Sequence, residues 1–158
     1  MKKFEFTGET KTISLCFRTA TLHRIRAVAE FGLVKVGDLG GWIEKEENLS
    51  HEGKAWVWGN AEVWGNAKVC GNAKVFSARH VLVIGAMGSR DDFTTFFRDK
   101  DNEITVKCGC FLGKIDKFLE KVTQTHGDSK YALVYRAAVE VARLQIDLSG
   151  EAPKDADE

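Results

Sequence analysis

Residues 53–76 read Gly53-Lys-Ala-Trp-Val-Trp58, Gly59-Asn-Ala-Glu-Val-Trp64, Gly65-Asn-Ala-Lys-Val-Cys70, Gly71-Asn-Ala-Lys-Val-Phe76, four hexads in phase. A helix would have to carry a glycine every six residues and a β-branched valine in each turn, whereas short strands broken at Gly-Asn satisfy every position. In each hexad the alanine (55, 61, 67, 73) and the valine (57, 63, 69, 75) lie two apart and share a strand face, which is predicted to be the core. The intervening Trp56, Glu62, Lys68 and Lys74 are predicted to face the other way. Gly-Asn takes the left-handed or turn conformation that glycine and Asx residues accept at low cost.

A strand that bends every six residues and buries one alanine and one valine per bend resembles the hexapeptide-repeat, left-handed parallel β-helix family, in which three hexads complete a triangular coil. The likeness extends upstream through Ile25-Arg-Ala-Val28 and Gly40-Gly-Trp-Ile-Glu44 to Asn48-Leu-Ser-His-Glu-Gly53. The layout is similar to that of short bacterial and prophage proteins that carry an N-terminal β segment ahead of such repeats and are labelled acyltransferase-like or polymer-forming. The fold this implies is mainly β with α: a short left-handed parallel β-helix with an N-terminal β cap and a C-terminal ββαα unit. Residues eighteen apart would then stack, placing Trp58 beneath Phe76 and Trp56 beneath Lys74.

The chain divides accordingly into a cap (1–47), the repeats (48–82), a C-terminal module (83–148) and an acidic tail (149–158) expected to be disordered because it has no large apolar residue. In the cap, Phe4/Phe6 and Ile13/Leu15/Phe17 form two alternating runs around Thr7-Gly-Glu-Thr10, which reads as a hairpin, and Leu22 to Val28 adds a strand. The five or six hexads make under two coils, too few to stand without covered ends. Val81–Ile84 reads as a buried strand, and Phe93–Arg98 with Ile104–Phe111 as a hairpin around Asp99-Lys-Asp-Asn102. Ile115, Phe118, Leu119 and Val122 have helical spacing in a segment predicted to run from 115 to 125 and to stop at His126-Gly127. Ser129 is placed to N-cap a second helix running to about Leu148.

Lys and Arg number 23 against 23 Asp and Glu. The tail from Glu151 holds four of the acids and one of the bases, leaving 22 bases against 19 acids before it, with no basic run, which argues against a nucleic-acid partner. No apolar stretch is long enough for a signal peptide or membrane span, so a cytoplasmic protein without a membrane partner is predicted. Cys16, Cys70, Cys108 and Cys110 lack CxxC spacing and read as reduced thiols.

Three constellations carry candidate chemistry. The resemblance implies acyl transfer, with His51 or His80 as general base, but the coils are too few for the groove an acyl-CoA occupies in that family. Gly85-Ala-Met-Gly-Ser-Arg90 is a glycine-rich turn leaving a strand; its backbone N–H groups, with Ser89 and Arg90, can receive a phosphate or carboxylate, and Gly85, Gly88, Ser89 and Arg90 are the predicted anion site. Neither dinucleotide nor Walker spacing is present, and the rival reading pairs Arg90 with Asp91 or Asp92. Cys108-Gly-Cys110 with His126 suggests zinc or a thiolate nucleophile, against which the spacing favours small buried hydrophobes; no metal or cofactor is predicted. Trp56, Trp58, Trp64 and Phe76 form the predicted interface, to be covered by the chain's own cap or helices or by a partner. The resulting reading is a non-catalytic binding protein that self-associates, as a dimer or else a trimer, and engages a protein partner or a nucleotide-like anionic ligand. The prophage resemblance adds inhibition of a host defence system, and the alternative is an enzyme, either a hexapeptide-type acyltransferase or one using the C-terminal module.

Overall fold

The N-terminal alternation folds as one long hairpin. In a computed structural model describing residues 1–149, β1 (Phe4–Ser14) runs antiparallel to β2 (Thr19–Ala27), and the Leu15 N–H donates to the Arg18 carbonyl at 2.7 Å across the turn. Thr7–Thr10, predicted as the turn, is instead an irregularity inside β1: pairing slips between Phe6 and Thr10, around Gly8 at φ 95°. The hairpin buries both faces. Phe4, Ile25 and Ala27 join the core of the repeats, while Ala20 and Leu22 pack with Ile13, Trp42 and Trp64 on the opposite side.

β3 (Leu39–Ile43) lies antiparallel to β2 and, along its other edge, parallel to β5 (Glu62–Val63), with Trp42 opposite Glu62 and Ile43 opposite Val63. That edge is tight. A Cβ on Gly41 would stand 2.5 Å from the Ala61 carbonyl oxygen, so the backbone reaches the repeats only because the position is glycine. β4 (Trp56–Val57) and β6 (Lys74–Val75) pair in parallel, and Leu49 bridges Val69 in parallel.

All the repeat alanines and valines named above are buried, and the eighteen-residue register holds, with Trp56 opposite Lys74 and Trp58 stacked on Phe76 at 4.6 Å. The fold predicted from them is nevertheless overturned. The parallel pairings are two residues long or single bridges, whereas the strands of β1-β2-β3-β5 and of the C-terminal sheet are joined mostly antiparallel. The chain is a mixed α/β structure of small antiparallel and mixed sheets with two helices, not a parallel left-handed β-helix. With so few hexads each short strand finds few parallel neighbours, and its remaining edges are filled from outside the repeats: β3 takes one, and Ala73 bridges Asp99 in antiparallel sense.

Trp56 and Lys74, predicted to face outward, are fully buried. The N-terminal segments lie over Trp56, bringing Phe4 and Phe31 edge-on to it at 6.4 and 5.3 Å, while Lys74 pairs beside it and its carbonyl accepts from Arg98 Nε at 3.3 Å. The same cap buries Lys3, whose ammonium donates to the Ala55 carbonyl at 2.7 Å and sits 4.7 Å above the Phe31 ring. Desolvation pulls its pKa from 10.5 to about 8. Between those values the unfolded chain holds more protons than the folded one, so stability rises with pH. Denaturant midpoints taken from pH 8 to pH 10.5 should climb by the equivalent of about 2 kcal/mol, less than the full shift allows because the site relaxes. Lys3→Met should flatten that limb. Desolvation raises the Cys70 thiol above its ordinary 9.0, which lowers stability as pH rises past that value, so both proteins are best compared with Cys70→Ala in place. An equal climb in both would show that another group titrates.

β7 (Val81–Met87), β8 (Asp92–Arg98), β9 (Ile104–Cys108) and β10 (Phe111–Lys114) form an antiparallel meander, in which β7 contains the predicted Val81–Ile84 strand, β8 and β9 the predicted hairpin, and β10 is added to the expected ββαα unit. The Asp99–Asn102 turn forms as expected, with Asn102 at φ 58° and the Asp99 carboxylate accepting from the Thr105 hydroxyl at 2.7 Å. Helices α1 (Ile115–His126) and α2 (Lys130–Gln145) cover one face of the meander; Gly127 at φ 57° ends the first. Ser129 occupies the N-cap position of α2 without a side-chain cap hydrogen bond, and α2 stops short of the predicted Leu148. Neighbouring Phe96 and Phe97 on β8 face opposite cores, Phe96 the helices and Phe97 the repeats, so the sheet is the middle layer. Among the described residues no helix is long and apolar enough to cross a membrane. The acidic tail from Gly150 onward lies outside the described residues.

Candidate anion-binding cleft

Where β7 ends, Gly88–Arg90 makes one 3-10 turn, and Asp91 at φ 49° swings the chain back into β8. A Cβ on Gly88 would stand 2.0 Å from the Tyr135 hydroxyl, so glycine here lets the turn sit directly on α2. One strand pair away, Gly109 and Cys110 form the two-residue turn between β9 and β10, with Cys108 opposite Phe111. The two turns and the facing side of α1 enclose a cleft of about 260 Å³. Its lining includes Ser89 and Arg90 of the glycine-rich turn together with Cys108, Cys110 and His126, two of the constellations seen in the sequence brought into one place.

Arg90 is the distinctive group. The rival reading pairs it with Asp91 or Asp92, yet among the described residues it makes no ion pair or hydrogen bond. Its Nη1 lies 2.8 Å from where a Cβ on Gly109 would stand, so the guanidinium rests against the bare turn. Lys107 fixes that turn by donating to the Gly109 carbonyl at 2.6 Å. Lys121 and His126 come from α1, and the Thr94 hydroxyl donates to Cys108 Sγ at 3.4 Å. The His126 ring stacks on Tyr135 with centroids 5.7 Å apart, and Phe118 meets Tyr135 edge-on at 5.8 Å and Phe111 at 5.4 Å. The cleft thus has a cationic rim and an aromatic wall; Asp92, its one lining carboxylate among the described residues, accepts from the Phe93 N–H at 2.7 Å.

Gly85 does not line this cleft. A Cβ there would meet Phe93 Cδ1 at 2.7 Å, so its smallness serves the approach of β7 to β8. Cys108 ends β9 and Cys110 occupies the turn that follows; among the described residues no three His, Cys, Asp or Glu cluster as metal ligands. Sequence reasoning missed Lys121, Thr94 and Tyr135, and no motif marks them. The one linear trace is that Lys121, Val122, Thr125 and His126 lie one turn apart in two pairs on α1.

The histidines considered for acyl transfer are engaged elsewhere. His51 Nδ1 accepts the Lys3 backbone N–H at 3.0 Å, and His80 Nδ1 accepts that of Phe76 at 3.0 Å. In each neutral ring the remaining nitrogen then carries the proton, leaving no lone pair for a general base. Burial also pulls both imidazoles below their ordinary pKa. Of the predicted interface, Trp56 is buried, Trp64 packs on the hairpin cluster, and Trp58 is half-buried against Phe76, which keeps 40% exposure. Neither the models of known protein families nor the curated proteins match this chain.

Proposed function

We propose that the chain is a binding protein whose C-terminal cleft holds a small anion bearing a planar ring, of the size of a mononucleotide or aryl phosphate. The observation that carries this is the Arg90 guanidinium, which is unpaired among the described residues, held against Gly109 beside Ser89 and facing Lys121 and His126 across an aromatic wall. An arginine without a protein partner keeps its planar fork for an oxyanion, and the rings offer a stacking surface. A cavity of about 260 Å³ suits a small ligand and is too small for an acyl-CoA. Sequestering a nucleotide signal is one form that the host-defence inhibition suggested by the prophage resemblance would take, and it needs no more than such a cleft. The free thiols fit a reducing compartment, and this reading assigns the protein to the cytoplasm.

Calorimetric titration with AMP, phenyl phosphate and inorganic phosphate tests the reading. Both ring-bearing anions should bind, and inorganic phosphate more weakly. Arg90→Gln should raise their Kd roughly tenfold, the value of one charge-assisted contact, while leaving the melting temperature unchanged because Arg90 is exposed. No heat from any of the three at millimolar concentration, or equal binding by Arg90→Gln, would remove the cleft from consideration.

A further inference from the structure

Two thiols line the cleft, one on each side of the glycine that supports Arg90. Cys108 ends β9, half-buried, and its Sγ accepts from the Thr94 hydroxyl at 3.4 Å; Cys110, exposed, is the second residue of the turn that follows. Both share the cleft wall with Arg90, Lys121 and His126. We propose that Cys108 and Cys110 form a reversible disulfide that weakens anion binding, an inference that rests on the anion-binding reading of the same cleft.

The turn sets the geometry. Gly109 has φ 58° and bends the chain back so that Cys108 pairs with Phe111. A corner of this kind holds Cα atoms two residues apart at roughly 6 Å, inside the range of about 4.4–6.8 Å that a disulfide spans. Glycine at the middle position has no side chain to obstruct the small ring and accepts torsions that other residues resist. A ring this short is strained and therefore easily reduced, the property of a switch rather than a staple. Cys16, in the hairpin turn, and Cys70, in the repeats, line no part of the cleft.

The exchange balances with a disulfide as oxidant. Oxidised glutathione, an anion drawn to the same cations, is attacked by the Cys110 thiolate, which releases one glutathione thiolate and leaves Cys110 in a mixed disulfide. The Cys108 thiolate then attacks the Cys110 sulfur and expels the second glutathione. Two protein thiols have lost two protons and two electrons, and one glutathione disulfide has become two thiols. Closure takes the Cys108 sulfur from the Thr94 hydroxyl and resets the torsions of Gly109, against whose bare Cα the Arg90 Nη1 rests. With its support moved, the guanidinium no longer holds its aim into the cleft.

Intact mass of the full chain carrying Cys16→Ser/Cys70→Ala, equilibrated in glutathione buffers, reads the exchange. Excess oxidised glutathione should remove two hydrogens from the mass, whereas with Cys108→Ser added the protein should stop at the mixed disulfide on Cys110. The oxidised form should bind AMP roughly tenfold more weakly than the reduced form, the loss also expected of Arg90→Gln. By reciprocity, saturating AMP should shift the oxidation midpoint toward the dithiol by about 30 mV, the equivalent of that tenfold. A Cys108/Cys110 pair that stays as two thiols or stops at the mixed disulfide, or equal AMP affinity in the two forms, would overturn the proposal. A reduced protein that binds no AMP would overturn the anion-binding reading and the control with it, while one that binds AMP but forms no disulfide overturns this proposal alone.

Discussion

Val63→Asp is expected to leave the protein without a cooperative unfolding transition. Val63 is 2% exposed on β5, opposite Ile43 of β3, and its own carbonyl accepts the Glu44 N–H at 3.1 Å. It belongs to the cluster in which the repeat alanines and valines meet Phe4, Ile25 and Trp56. An aspartate there must either remain charged without a partner or take up a proton, and both cost several kcal/mol. Against a total stability of about 5–15 kcal/mol, that consumes most of the margin. Circular dichroism with urea titration, and Val63→Ala as a milder companion losing about 2 kcal/mol, would check it. A soluble Val63→Asp variant with the wild-type midpoint would show that the repeats do not pack as described.

Asn48→Leu should be the most destabilising polar substitution, lowering stability by about 3 kcal/mol. Asn48 is fully buried in the turn leading into the repeats, and both ends of its amide are used. Its Oδ1 accepts from the Glu44 and Lys45 N–H groups at 3.2 and 2.9 Å, and its Nδ2 donates to the Gly65 and Ala67 carbonyls at 3.0 Å each. Leucine has nearly the same size but strands these backbone groups away from water. Gly65 and Ala67 lie in the next layer, so the side chain stitches one turn of chain to the following one. Urea unfolding of the two proteins is the measurement; a loss below about 1 kcal/mol would mean that water replaces the amide. Because neither Asn48 nor any of its hydrogen-bond partners lines the cleft, anion binding by the folded fraction should be unaffected.

The hexads by themselves determined that the alanine and valine slots would be buried and how far apart stacked residues would lie. A strand fixes the facing of its side chains residue by residue, so the alanine and valine slots follow from spacing alone, and the eighteen-residue register appears as Trp58 on Phe76. The extent of α1 was legible for the same reason, since Ile115, Phe118 and Val122 record one buried face and Gly127 records its end. What lies across each strand edge was not written in the period. A two-residue strand such as β5 can be paired from either side and in either sense, and only the assembled chain chose β3 beside it, and the antiparallel hairpin beyond. The burial of Trp56 followed from that choice, because the cap that supplies β3 also covers its face. The cleft is likewise a product of tertiary structure. Arg90, Gly109 and His126 meet only because the meander folds two turns to the same end and α1 runs back beneath them, and no local pattern records a contact made across so many residues.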